Sequence, residues 1–210
     1  MIDLKVLSDA VIKGDRDTAV EITKQAIDEN IPAKQILDKG LISAMVIVGD
    51  KFSRNEFCIP EMLISARAMK SALEILEPEL VRAEVKPAGK FLIGTVAGDV
   101  HDIGKNLVAM MMKGAGFDVI DLGVDVPSEI FVEKAKESGA QVIGLSALLT
   151  TTMRSMENTV KALKDAGVNA KVIIGGAPVT QPYADKIGAN GYSTDCATAV
   201  KVAKAVMAAS

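Results

Sequence analysis

The chain has 210 residues, enough for one large domain or two small ones, and its 49% apolar and 24% charged composition is ordinary for a soluble globular protein. A net charge of −3, a pI near 5.3 and no basic tract exclude a nucleic-acid binder, and no run approaches the ~20 apolar residues of a membrane span. The first residues lack a signal-peptide layout, and Cys58 and Cys196 match no metal spacing, so the expectation is a cytoplasmic protein with reduced, unreactive thiols.

In chain order, residues 1–85 read as all-helical. Residues 3–13 form an amphipathic helix with Leu4, Leu7, Val11 and Ile12 on one side, and Gly14 breaks it. Asp15 or Asp17 caps a second helix running to about residue 29. Pro32 opens a third, with Ile36, Leu37, Leu41, Ile42 and Met45, and Pro60 a fourth, with Met62, Leu63, Ala66, Met69, Leu73 and Leu76. Four helices with short connections predict a small bundle. With 3% aromatic residues, no Trp and ten Met, the core must be built from Met, Ala, Val, Ile and Leu.

Residues 83–89 read as a linker, after which the pattern changes. Strand-like apolar runs at 91–96, 117–122, 141–145, 171–174 and 191–192 alternate with helical patterns at 103–113, 128–137, 152–166, 181–187 and 197–208. That alternation implies parallel βαβ units, and the near-continuous apolar strands imply a sheet covered on both faces. The predicted fold is therefore α/β: a four-helix bundle over residues 1–85, then a flavodoxin-like, Rossmann-type domain with a five-stranded parallel sheet over residues 86–210.

In such a sheet, ligands bind beyond the carboxyl ends of the strands. The chain's one histidine, His101, falls there, on the loop after the first strand, within Asp99-Val100-His101-Asp102-Ile103-Gly104. An imidazole at that place suits a metal ligand, a base or a proton carrier. The loop after the third strand brings Ser146-Ala147-Leu148 and the hydroxyls of Thr150, Thr151 and Thr152; the loop after the fourth brings Gly175-Gly176, where something approaches the backbone closely. Sharper alternatives fail. A P-loop would need one residue fewer between Gly98 and Gly104 and a hydroxyl in place of Asn106, no dinucleotide fingerprint follows the first strand, and no nucleophile elbow holds Ser146. Asp121, Asp125 and Pro127 read as shaping the loop after the second strand.

These three elements together, D-x-H-x-x-G, S-x-L and G-G, resemble the signature of cobalamin-binding domains. The helical half, with Val48-Gly49-Asp50-Lys51-Phe52 and Ile59-Pro60-Glu61-Met62-Leu63, resembles the cap module that precedes such domains in methyl-transferring proteins such as methionine synthase. Over nearly the whole chain, the resemblance is to the corrinoid methyl carriers of methanogens and acetogens. It implies cobalamin or a related corrinoid held base-off and His-on, with His101 the lower axial ligand to cobalt. The detached nucleotide tail would pass Ser146, Leu148 and the Gly175-Gly176 turn, and Asp102, Ile103, Gly104 and Thr150 would also contact the cofactor. Asp99 would orient the imidazole and Thr152 would complete a proton relay, with Thr150 or Thr151 as substitutes.

The same resemblance makes Phe57, Met62, Leu63 and Met69 an apolar lid for the cofactor's upper face, with the linker as hinge. It implies a methyl carrier that is not catalytic alone. Its partners would be a substrate:corrinoid methyltransferase, a second methyltransferase serving tetrahydrofolate or a thiol carrier, and a reductive activator. The implied setting is one-carbon metabolism, in methanogenesis or acetogenesis. The nearest rival is the small cobalamin-binding subunit of a radical mutase, against which the helical half argues.

Overall fold

The computed structural model describes residues 2–209. The chain divides into two compact units: residues up to Pro87 together with Gly114–Gly116, and Ala88–Lys113 together with the residues from Phe117 onward.

The first unit is helical: α1 (Leu4–Lys13), α2 (Arg16–Asp28), α3 (Ala33–Gln35), a π-helical segment (Ile36–Ile42), α4 (Ser43–Ser53) and α5 (Ile59–Arg82). Its boundaries follow local chemistry. The Asp3 and Asp15 carboxylates accept from the Lys5 and Thr18 amides at the starts of α1 and α2, supplying acceptors for N–H groups that the helix leaves unpaired. Gly14 ends α1 at φ 72°, a left-handed conformation that costs glycine little. The Glu61 carboxylate reaches back to the Cys58 amide at 3.0 Å, and Pro60 lies in the first turn of α5, where a missing N–H goes unnoticed.

One feature departs from expectation. The third helix carries a π-helical stretch at its centre, where a Cβ on Gly40 would lie 2.5 Å from Leu7 Cδ2. Hydrophobic periodicity carries no sign of this, because the close approach is to another helix. The fourth helix runs on through Pro78 to Arg82, within the helical span expected from the sequence. Fully buried Leu7, Ile36, Leu41, Met45, Met62 and Leu76 form the core, so aliphatic and thioether side chains do replace aromatics here.

The second unit is a doubly wound α/β domain. Its strands are β1 (Lys90–Thr95), β2 (Asp118–Asp121), β3 (Val142–Ser146), β4 (Lys171–Gly175) and β5 (Gly191–Ser193). Between and after them run α6 (Ile103–Gly114), α7 (Ser128–Ser138), α8 (Met153–Asp165), α9 (Gln181–Ile187) and α10 (Cys196–Ala208). All pairings are parallel and the strand order is β2-β1-β3-β4-β5. The strands carry Val, Ile and Leu because helices cover both faces; Leu92, Ile143, Leu145, Val172 and Ile174 pack with Phe131, Met156 and Leu163. The order reverses between β1 and β3, so the loops leaving those strands diverge and open a crevice. The register aligns Thr95, Ser146, Gly175 and Ser193 in one row at the carboxyl edge. Among the described residues, no helix is long and apolar enough to cross a membrane.

Candidate functional site

The site is built on the loops leaving β1 and β3. Immediately after β1, the Asp99 amide donates to the Val96 carbonyl at 3.1 Å and Gly98 adopts φ 84°, closing a tight turn that reverses the chain. The turn delivers Asp99 into the crevice, where it is completely buried.

A buried carboxylate must be fully engaged. Asp99 Oδ2 accepts from the Leu148 amide at 2.8 Å, the Leu149 amide at 3.3 Å and the Thr152 hydroxyl at 2.7 Å, all from the loop after β3. Asp99 Oδ1 accepts from the His101 amide at 3.1 Å and lies 2.7 Å from His101 Nδ1. Burial pushes this carboxyl up. The Leu148 amide, the Thr152 hydroxyl and the His101 ring and amide more than offset that and hold it well below the ordinary carboxylate range.

An ionised carboxylate only accepts, so Nδ1 carries the ring proton and the lone pair is on Nε2. The His101 side chain is 46% exposed, so Nε2 is accessible. Val100 and Ile103, close to His101 in sequence, and Leu148 and Leu149, whose amides bind Asp99, carry exposed apolar side chains. Thr150 and Thr151 are exposed, and among the threonines of the loop Thr152 is the one whose hydroxyl reaches Asp99.

The glycine pair also has a structural reason. A Cβ on Gly176, at φ 131°, would lie 1.8 Å from the Ala147 carbonyl oxygen, so the loop after β4 packs backbone against backbone on the loop after β3. A Cβ on Gly175 would lie 3.2 Å from both Ser193 oxygens. Asp102 and Gly104 are exposed, and a Cβ on Gly104 would meet nothing within 4 Å. Asp99, His101, Ser146, Leu148, Thr152, Gly175 and Gly176 thus share one edge of the α/β unit. Met62 belongs to the helical unit, on α5, and is fully buried.

Residues 89–201 match the family model of the B12 binding domain, and residues 4–77 match a second B12 binding domain model. A corrinoid protein of Desulfitobacterium hafniense (strain Y51) is 41% identical over 209 residues, spanning 97% of each chain. Dimethylamine corrinoid protein 2 of Methanosarcina acetivorans is 44% identical over 207 residues, spanning 97% of this chain and 95% of its own. The crystal structure of the methanol:cobalamin methyltransferase complex from Methanosarcina barkeri aligns with a TM-score of 0.87 and 28% identity, over 99% of this chain and 80% of that one. The chain belongs to the corrinoid proteins of methyltransferase systems.

The donor set fits a corrinoid. Among the described residues no cluster of three His, Cys, Asp or Glu side chains could hold a metal ion by itself. The site offers one oriented imidazole nitrogen beside exposed apolar side chains, which suits a metal whose other ligands come from a flat, largely apolar macrocycle.

Several residues of this corrinoid protein's site were not singled out by the sequence. Buried Thr95 donates its hydroxyl to the His101 carbonyl at 2.8 Å. Lys105, 3% exposed, pairs with Asp121 at 2.6 Å and donates to Asn106 Oδ1 at 2.8 Å, tying the start of α6 to the end of β2. No sequence signal marks this pair, because neither the burial of Lys105 nor its distance to Asp121 is written in local pattern. Asp121 and Asp125 do shape the loop after β2, but both also hold the β1–α6 segment. Cys58 is exposed; Cys196 is buried, and burial followed by the Asp195 charge pushes its thiol up to about 11.

Proposed function

We propose that this corrinoid protein holds its cofactor base-off and His-on and carries a methyl group between two methyltransferases. The observation that carries the reading is the continuous path from Thr152 Oγ1 through the buried Asp99 carboxylate to His101 Nδ1, with both contacts at 2.7 Å. When bound, the corrinoid supplies the cobalt that accepts and releases the methyl group.

The chain's own residues set the lower face. Asp99 keeps the proton on Nδ1 and so leaves the Nε2 lone pair free, the atom with which His101 would hold the cobalt. The carboxylate oxygen beside Nδ1 also accepts from the His101 amide, so ring and backbone are held together. Thr152 and the Leu148 and Leu149 amides hold the carboxylate in place. The nucleotide tail would run past Ser146, Leu148 and the Gly175-Gly176 turn, whose close packing on Ala147 shapes the loop after β4, and Asp102, Ile103, Gly104 and Thr150 would also contact the cofactor.

Residues 1–85 would act as the cap over the upper face. Leu63, 44% exposed, has apolar surface to offer it, as do exposed Ile59 and Ile64, whereas Met62 and Met69 are core residues that would line it only after repacking. The 44% identity to a dimethylamine corrinoid protein supports a methylated amine as donor, delivered by its own methyltransferase. A second methyltransferase serving tetrahydrofolate or a thiol carrier would take the methyl on, and a reductive activator would restore oxidised cobalt.

Reconstitution with cobalamin tests the reading. Under it, the Co(II) protein gives an electron paramagnetic resonance spectrum split by one protein nitrogen, and His101→Ala abolishes that splitting while retaining corrinoid. Stoichiometric methyl uptake from dimethylamine or trimethylamine, with the matching methyltransferase, tests the donor. An unchanged spectrum in His101→Ala would remove the axial role, and uptake from methanol alone would remove the amine assignment.

A further inference from the structure

The turn that presents Asp99 and His101 has a structural weak point. Residues Val96 to Asp99 close through the Asp99 amide and Val96 carbonyl, and φ 84° at Gly98 is the signature of a type II turn. Types I and II differ by a flip of the central peptide, here the one between Ala97 and Gly98. In either type that peptide's N–H takes no part in closing the turn. Glycine at the third position of the turn favours type II but also tolerates type I, so the turn by itself does not lock the peptide.

An acceptor from the loop after β2 locks it. Asp125 Oδ1 accepts from the Gly98 amide at 2.7 Å, and the Asp125 amide donates to the Asp99 carbonyl at 2.9 Å. One residue thus grips the backbone on both sides of the Gly98–Asp99 peptide. It does so at φ 52°, a left-handed conformation that non-glycine residues adopt at a cost and that Asp and Asn tolerate best. The neighbouring Val96–Val126 bridge, and the Thr95–Gly123 and Val126–Thr95 backbone bonds, hold the loop in register beside β1.

We propose that Asp125 is a positioning residue for His101: its carboxylate fixes the Ala97–Gly98 peptide, and through that turn the Asp99–His101 pair. Asp99 is then held from two sides, its side chain by the loop after β3 and its backbone by the loop after β2. This inference rests on the axial role given above to His101, but its geometry exists without cofactor, so the two are tested separately.

The experiment compares wild type with Asp125→Asn and Asp125→Gly. Asn keeps an acceptor oxygen and tolerates the left-handed backbone; Gly keeps the backbone freedom and removes the acceptor. In apoprotein, nuclear magnetic resonance follows Gly98 amide exchange and the His101 ring nitrogen shifts. The expected result is a protected Gly98 amide and a single Nδ1–H tautomer in wild type and Asp125→Asn. In Asp125→Gly, Gly98 protection falls about tenfold and the ring samples both tautomers. In the Co(II) holoprotein the nitrogen splitting would persist in Asp125→Asn and weaken in Asp125→Gly.

A rapidly exchanging Gly98 amide in wild type overturns the proposal, which also covers the case of a glycine variant that does not fold. So does an Asp125→Gly protein with wild-type Gly98 protection and ring shifts. If the apoprotein results are as expected but wild-type holoprotein shows no nitrogen splitting, the axial role of His101 fails and the positioning role of Asp125 stands.

Discussion

Replacing Asp99 by Asn tests the central arrangement with a change of almost no volume. Asp99 is completely buried, and both oxygens accept: Oδ2 from the Leu148 and Leu149 amides and the Thr152 hydroxyl, Oδ1 from the His101 amide and ring. An amide offers one acceptor oxygen and one NH2. If the NH2 faced Leu148, two donors would meet at 2.8 Å, so the carbonyl oxygen takes that side. The NH2 then faces the His101 amide, which loses its acceptor, and His101 Nδ1, which must become an acceptor. Charge assistance disappears from the remaining bonds and one buried N–H is left unsatisfied, which together amount to about 2–4 kcal/mol. For a protein of this size that lowers the apoprotein's melting temperature by roughly 5–15 °C. The ring proton moves to Nε2, the atom that would ligate cobalt, so the His-on fraction should drop about 10- to 100-fold. Calorimetry of the apoprotein reads the first effect, and the nitrogen splitting of the Co(II) protein reads the second. A variant with wild-type melting and unchanged splitting would refute both the hydrogen-bond assignment and the tautomer argument.

Thr152→Ser should keep the hydrogen bond to Asp99 and wild-type stability, whereas Thr152→Ala should cost about 1–2 kcal/mol by urea denaturation. The Asp99 carboxyl lies below its unfolded value, so its contribution to stability is complete above the ordinary carboxylate range. That contribution is lost as pH falls through about 4 and below; a melting-temperature profile should show this acid limb in wild type and a flatter one in Asp99→Asn. Gly176→Ala places a Cβ 1.8 Å from the Ala147 carbonyl oxygen and should destabilise the α/β unit by at least about 3 kcal/mol, and a melting temperature equal to wild type would contradict the packing. Iodoacetamide at pH 8 should label exposed Cys58 within minutes and spare buried Cys196, its thiol pushed up to about 11; mass spectrometry counts the adducts.

The sequence by itself determined the two architectures, because each rests on short-range patterns. Apolar spacing with Asp3, Asp15 and Pro60 at helix starts set the helical unit, and five apolar runs alternating with helices set the parallel sheet. The position of His101 on the loop after the first strand, and of Leu148 and Gly176 after the third and fourth, followed from the apolar runs; Ser146 and Gly175, expected on loops, are the last residues of β3 and β4, because hydrogen-bond register extends each strand by one residue. Boundaries shifted by a residue or so, because hydrogen-bond register rather than hydropathy closes a strand. Only the tertiary structure decided between Thr150, Thr151 and Thr152, because the choice depends on which hydroxyl the first turn of α8 aims at Asp99. It alone showed the π-helical stretch beside Leu7, the buried Lys105–Asp121 pair and the Asp125 grip on Gly98. Each of these joins residues distant in sequence through one or two polar atoms or a single close approach. Such contacts leave no periodicity to read and depend on where the folded backbone brings a donor and an acceptor within 3 Å.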